Sequence, residues 1–225
     1  MPVSNPTYCK PEAFELFQEQ LSNINSPAGL VNTACAIGVH AHEDVDIPAV
    51  HAQFEDLATR IENRYTSTRP EVIMAHAHEV LFEEEGFVGN ALDYYHPDNS
   101  FLPNVMQTRK GLPITLALVY TTIMRRLGLQ AYGISSPGHF LAALDVSGKR
   151  VLIDAFHRGQ LLHDDEARTR IESVMGVKLK ANDDPFTIAT PNIWIARILQ
   201  NLVSVYRSRG QFADMSAMIE LQGLL

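Results

Sequence analysis

The chain has 225 residues, 46% of them apolar, and a formal net charge of −8 from 18 Lys+Arg against 26 Asp+Glu. That length suits one domain of ordinary size, with enough apolar residues to bury a sizeable core. The acidic balance and the lack of a dense Lys/Arg patch argue against nucleic-acid binding, because such a surface repels a phosphate backbone.

The opening segment, "MPVSNPTYCKPEAFELF", has no basic stretch leading into an apolar one and so does not resemble a secretory signal. Residues 10–85 predict helices. In "PEAFELFQEQLSN", Pro11 falls near a helix start and Phe14, Phe17 and Leu21 recur at helical spacing. "GLVNTACAIGVHAHED" is a second apolar stretch. In a third, "IPAVHAQFEDLATRIENRY", Val50, Phe54, Leu57 and Ile61 share one face, and a fourth, "PEVIMAHAHEVLFEEEGF", stops at Gly86. "GNALDYYHPDNS" then has the Gly, Asn, Asp and Pro content of a loop.

Ser100 is placed to cap a short helix, "FLPNVMQTRK", with Pro103 in its first turn. "GLPITLALVYTTIMRRLGLQ" predicts a central helix that starts at Pro113, ends at Gly128 and is apolar on most sides. Its "PITLALVY" is too short to span a bilayer. Strands follow: "QAYGIS", then "HFLAALDV" and "KRVLIDAF" around Ser147-Gly148. A two-residue hairpin loop there pairs Val146 with Lys149. Asp154 then falls opposite Leu141 and His139 opposite Phe156, so His139 and Asp154 lie diagonally on one face of the sheet, within reach of each other. The remainder predicts helices again, "DDEARTRIESVMG", "PNIWIARILQNLVSVYRSRG" and "QFADMSAMIELQGLL". There Leu202, Tyr206, Gly210 and Phe212 follow tetratricopeptide spacing.

His139 is a polar residue opening an apolar strand. It is either a core histidine with a satisfied hydrogen bond or part of a site. "LFEEEGFVGNALDYYHPDNSFLPNVMQTRKGLPITL", "RRLGLQAYGISSPGHFLAALD" and "LIDAFHRGQLL" occur in an order that resembles the transglutaminase-like superfamily, itself related in fold to papain-type proteases. Within it they look like the SirB-type branch, over about Leu81 to Leu162. The resemblance implies an α+β fold in one compact unit. A helical N-terminal layer would occupy 1–85 and a core of a central helix on a small antiparallel sheet 86–165. C-terminal helices with one tetratricopeptide-like hairpin would fill 166–225. It also implies that His139 and Asp154 stand at the histidine and aspartate of a Cys-His-Asp relay. In such a relay the carboxylate orients the imidazole, while helix dipole and imidazolium stabilise a thiolate.

The nucleophile's position in that pattern falls on Pro113, whose ring has no attacking atom. Thr115 is two residues on, turned about 200° around the helix. Cys9 and Cys35 are the two cysteines, both far away in sequence. Two are too few for a disulfide framework and fit a reducing, cytoplasmic compartment. In "TACAIGV", Cys35 suits a small buried hydrophobe. Arg109 matches an arginine of the family pattern. With Asn99 and Tyr95 it either lines a pocket beside His139, where its fork suits a carboxylate, or fixes the loop through a salt bridge. "HAH" occurs at 40–42 and 76–78 in helical stretches, where a spacing of two turns the rings to opposed faces, so no metal site is expected.

The function this implies is a non-catalytic transglutaminase-like protein that binds a protein or peptide in a groove lined by Arg109, Pro113, His139 and Asp154. The terminal hairpin would be a second contact surface, such as to another copy of the chain. No cofactor, nucleic acid or membrane is expected. The alternative is a cysteine-independent amide or ester hydrolase using His139 oriented by Asp154, and a third is a purely structural oligomer subunit.

Overall fold

Apolar spacing places the first four helices. The computed structural model describes residues 5–180 and 183–225. In it α1 runs Pro11–Ser22, α2 Gly29–Gly38, α3 Ile47–Glu62 and α4 Pro70–His78. Phe14, Phe17, Val50, Phe54, Leu57 and Ile61 are all buried, as their spacing requires. Asp46 caps α3 by accepting the Ala49 amide at 2.9 Å. Beyond His78, α4 continues as a π-helical stretch, Glu79–Glu84, which ends before Gly86 with its φ of 74°.

The first "HAH" is not helical. α2 stops at Gly38 and His40 lies in the turn that follows. There its Nδ1 accepts the Lys10 amide at 3.2 Å and its Nε2 faces Asp214 at 3.2 Å, tertiary bonds that outweigh continuation of the helix. Nearby, the Glu220 carboxylate accepts the amides of Thr7, Tyr8 and Cys9 at 2.8–3.2 Å.

The loop from Gly86 carries β1 (Val88–Gly89), a 3-10 turn (Pro97–Ser100), α5 (Leu102–Thr108) and β2 (Lys110–Gly111). β1 and β2 form a short parallel pair that the sequence did not signal. Ser100 does not cap α5. The preceding turn takes up Ser100, Phe101 becomes the capping position with extended backbone, and the Ser100 hydroxyl is buried without a partner among the described residues. α6 (Pro113–Arg126) begins at the expected proline and is buried on nearly every side. Thr115 folds back at its start, accepting the Leu112 amide at 3.0 Å and donating to the Asn99 carbonyl at 2.7 Å.

β3 (Ala131–Ser136), β4 (His139–Val146), β5 (Lys149–Asp154), β6 (Gln160–Leu162) and β7 (Thr187–Ile188) form an antiparallel sheet in the order β6-β5-β4-β3-β7. Val146 pairs with Lys149 around Ser147 and Gly148, both with positive φ, 52° and 79°, as a two-residue hairpin turn needs. Alternation divides the sheet. Phe140, Ala142, Leu144 and Ile153 join the main core with α6, whereas Leu141, Ala143 and Leu152 pack under Ala167 and Ile171 of α7 (Asp164–Met175). α8 (Pro191–Ser208) and α9 (Phe212–Gln222) form a helical hairpin whose Leu202 and Tyr206 are buried. The result is an α+β fold.

One partly buried histidine of the helical layer gives the fold a pH dependence. His78 lies 2.9 Å from the Tyr120 hydroxyl with its ring edge-on to Phe82, and burial lowers its pKa from 6.5 to about 4. Between those values the unfolded chain takes up a proton that the folded chain refuses. This contribution to stability is therefore present above pH 6.5 and lost as pH falls toward 4, by about 2–3 kcal/mol. His78→Gln should flatten that part of the profile in urea titrations at pH 7 and pH 4.5. An unchanged slope would mean that the ring is free to ionise in place.

Candidate functional site

Hairpin register brings His139 and Asp154 together. Pairing between β4 and β5 runs from Val146–Lys149 to Ala142–Ile153, and His139 pairs on its other side with Ser136. The expected partner, Phe156, has left the ladder. Asp154 accepts the His157 amide at 3.2 Å through Oδ1 and turns residues Ala155–His157 into a 3-10 turn. His139 Nε2 lies 3.0 Å from Asp154 Oδ2. The pair is nearly sealed, His139 being 6% exposed and Asp154 0%.

Two further groups converge on the same oxygen, and the sequence pattern indicated neither. His157 Nδ1 lies 3.0 Å from Asp154 Oδ2, and Arg170 of α7 donates to it through Nη1 while its Nη2 reaches Gln160 at 2.8 Å. Burial by itself would raise the Asp154 pKa, but the bonds and charges of His139, Arg170 and His157 outweigh it and hold the carboxyl well below the usual range. An ionised carboxylate has only acceptors, so both rings face it as N–H donors. No hydrogen bond claims His139 Nδ1 among the described residues.

His139 and Asp154 share the sheet face that α7 covers, with Leu141 and Leu152. Beside them lies a cleft of about 560 Å³ lined by His157, Gln160, Glu166, Arg170 and Val174. Arg109, Asn99, Tyr95 and Pro113 make no hydrogen bond to the Asp154 cluster. Arg109, in the left-handed conformation after α5, is bound to Glu85 at 2.7–2.9 Å and lies over the Phe87 ring at 4.9 Å. That is the salt bridge that fixes the loop, reinforced by Arg60, which shares Glu85.

Asn99 is buried and spends its side chain on the loop, donating to the Asp93 and Tyr94 carbonyls and accepting from Asn90. Tyr95 is exposed, while the neighbouring Tyr94 packs on Phe156. Pro113 is the first residue of α6 and is buried. The next residue's carbonyl, that of Ile114, accepts the Trp194 indole N–H at 3.2 Å.

Neither thiol approaches the imidazole by a hydrogen bond. Cys9 and Cys35 are both buried in the main core, on the other side of the sheet from His139. Burial pushes both pKa values up to about 12, with Glu220 adding to the effect at Cys9. A thiol so placed is a poor nucleophile. Among the described residues no group of three or more His, Cys, Asp or Glu side chains could hold a metal ion. No described helix is long and apolar enough to cross a membrane.

A family model described as the transglutaminase-like superfamily matches residues 48–200. The chain is 33% identical over 190 residues to a UPF0162 protein of Xylella fastidiosa strain 9a5c, covering 81% of this chain and 66% of that protein. A second UPF0162 protein, from the Temecula1 strain, is 34% identical over 184 residues, 79% of this chain and 64% of that one. The chain thus spans just under two thirds of the length of these relatives. F-box only protein 21 of Homo sapiens shares 37% identity over 92 residues, 37% of this chain and 14% of that protein. No solved structure matches.

Proposed function

This chain belongs to the transglutaminase-like superfamily, and from that premise we propose that it is a non-catalytic member of the SirB-type branch, acting as a protein- or peptide-binding regulatory module. The observation that carries the reading is the residue at the mouth of α6. Where a relay of this kind places its thiol stands Pro113, which has no attacking atom and is buried. Both cysteines are sealed in the core as protonated thiols, which supports the same reading. The Asp154 cluster then acts structurally, binding β4, β5 and α7 into one surface. The cleft lined by Gln160, Arg170 and Val174 is the partner's place on it. The hairpin of α8 and α9, with tetratricopeptide-like spacing, offers a second contact surface, including to another copy of the chain. We place the protein in the cytoplasm on its two unpaired cysteines.

The unclaimed Nδ1 of His139 favours one alternative, a hydrolase in which that nitrogen takes a proton from water attacking an amide or ester. General-base assistance of this kind contributes about 10²–10⁴-fold, well short of a nucleophilic relay. A screen for amidase, esterase and transamidation activity separates the two. Background rates in both the wild type and His139→Ala, together with a co-purifying protein, are the expected result. Turnover that falls to background in His139→Ala would establish the hydrolase instead.

A further inference from the structure

On the opposite side of α6 from its start lies a cleft of about 530 Å³, within the range of small-molecule sites. Leu30, Val31 and Pro191 contribute apolar wall, and Arg125, Arg126 and His51 contribute to the polar one beside Asn25, Ser26 and Thr122. Among the described residues no carboxylate lines this cleft, in a protein whose net charge is −8.

The three basic groups differ in what they have left to offer. Arg126 is engaged, donating to Glu55 at 2.7 Å and lying 2.9 Å from His51 Nδ1. His51 Nε2 is engaged with Asn32 at 2.7 Å, and burial together with Arg126 disfavours its cationic form. Arg125 differs. Its Nε donates to the Ala131 carbonyl at 2.6 Å, which fixes the plane of the guanidinium, but its two terminal nitrogens have no partner among the described residues. A fixed guanidinium with both terminal donors free, at the rim of an apolar cleft, is built for the two oxygens of a carboxylate.

We infer that this cleft binds a small apolar carboxylate, its acid group on the Arg125 fork and its hydrocarbon part against Leu30, Val31 and Pro191. The same chemistry describes a free alkyl acid and the C-terminus of a peptide ending in an apolar residue. The site is separate from the Asp154 cluster, so its failure leaves the preceding reading untouched.

The test uses four probes titrated into the whole chain and followed by NMR: hexanoate, hexanamide, and a short peptide ending in leucine with a free or an amidated C-terminus. Saturable binding of an acid, with its amide weaker by about tenfold or more, is expected from loss of a charge-assisted bidentate contact. The acid that binds tighter identifies the source. Arg125→Gln should weaken the acid to the level of the amide. Thr122→Phe, which fills the cleft while leaving the guanidinium in place, should abolish binding while the far-ultraviolet spectrum stays unchanged. If Arg125→Gln fails to fold, Thr122→Phe and the acid–amide comparison decide alone. Equal binding of acid and amide, or no saturation by either acid, would overturn the inference.

Discussion

Asp154→Ala should be among the most damaging single substitutions in this protein, costing about 3–5 kcal/mol at pH 7. The reason is the number of donors that depend on one carboxylate. His139, His157 and Arg170 converge on Oδ2, and the His157 amide on Oδ1. Removing the acceptor leaves a buried imidazole N–H and a partly buried guanidinium without their partner. His139→Ala should cost less, about 1–3 kcal/mol, since Asp154 keeps its other donors. The His139→Ala/Asp154→Ala double variant should cost less than the sum, because the two side chains share one bond.

Acid should erase the difference between Asp154→Ala and wild type. The folded state holds this carboxyl below its ordinary value of 3.8. The stabilisation is therefore complete above that value and lost as pH falls through it toward the folded pKa. Urea midpoints for wild type and Asp154→Ala should accordingly converge below about pH 4. A gap that stayed constant with pH would show that packing, not the ionised carboxylate, supplies the energy.

Trp194→Ala should cost a similar amount, about 3–5 kcal/mol, for a different reason. Trp194 is 1% exposed and joins three elements. Its ring meets Phe140 of β4 at 4.7 Å, its indole N–H holds the Ile114 carbonyl at the start of α6, and it covers Gly133 of β3. A Cβ on Gly133 would lie 2.3 Å from the ring. Gly133→Val should therefore be destabilising from the other side of the same contact. Trp194→Phe, which keeps most of the packing but loses the indole bond to the Ile114 carbonyl, should fall between wild type and alanine. The chain has one tryptophan, so the substitution removes the fluorescence signal and far-ultraviolet circular dichroism must follow unfolding. An alanine variant within 1 kcal/mol of wild type would mean that the start of α6 is held by other contacts.

Local chemistry made much of this architecture legible in the sequence. Pro113 marked the start of α6, Ser147-Gly148 set the hairpin register, and that register alone predicted the meeting of His139 with Asp154. What it could not carry were features decided by distant partners. His40 leaves the helix because Lys10 and Asp214 claim its ring. Ser100 lost its capping role to a 3-10 turn one residue earlier. Arg170 sits on a helix whose polar face gave no sign that one side chain turns inward to a carboxylate 16 positions away. A loop-fixing salt bridge at Arg109 was one of two open readings, and spacing does not say that Glu85 is the acid within reach.

The Glu220 clamp bears on the order in which the molecule assembles. Its bond to the Cys9 amide closes a loop across 211 positions. Chain entropy opposes so long a closure until the intervening helices and sheet have drawn the two segments close. The clamp therefore belongs to the end of folding, after the nucleus has condensed, and weakening it should speed unfolding far more than it slows folding.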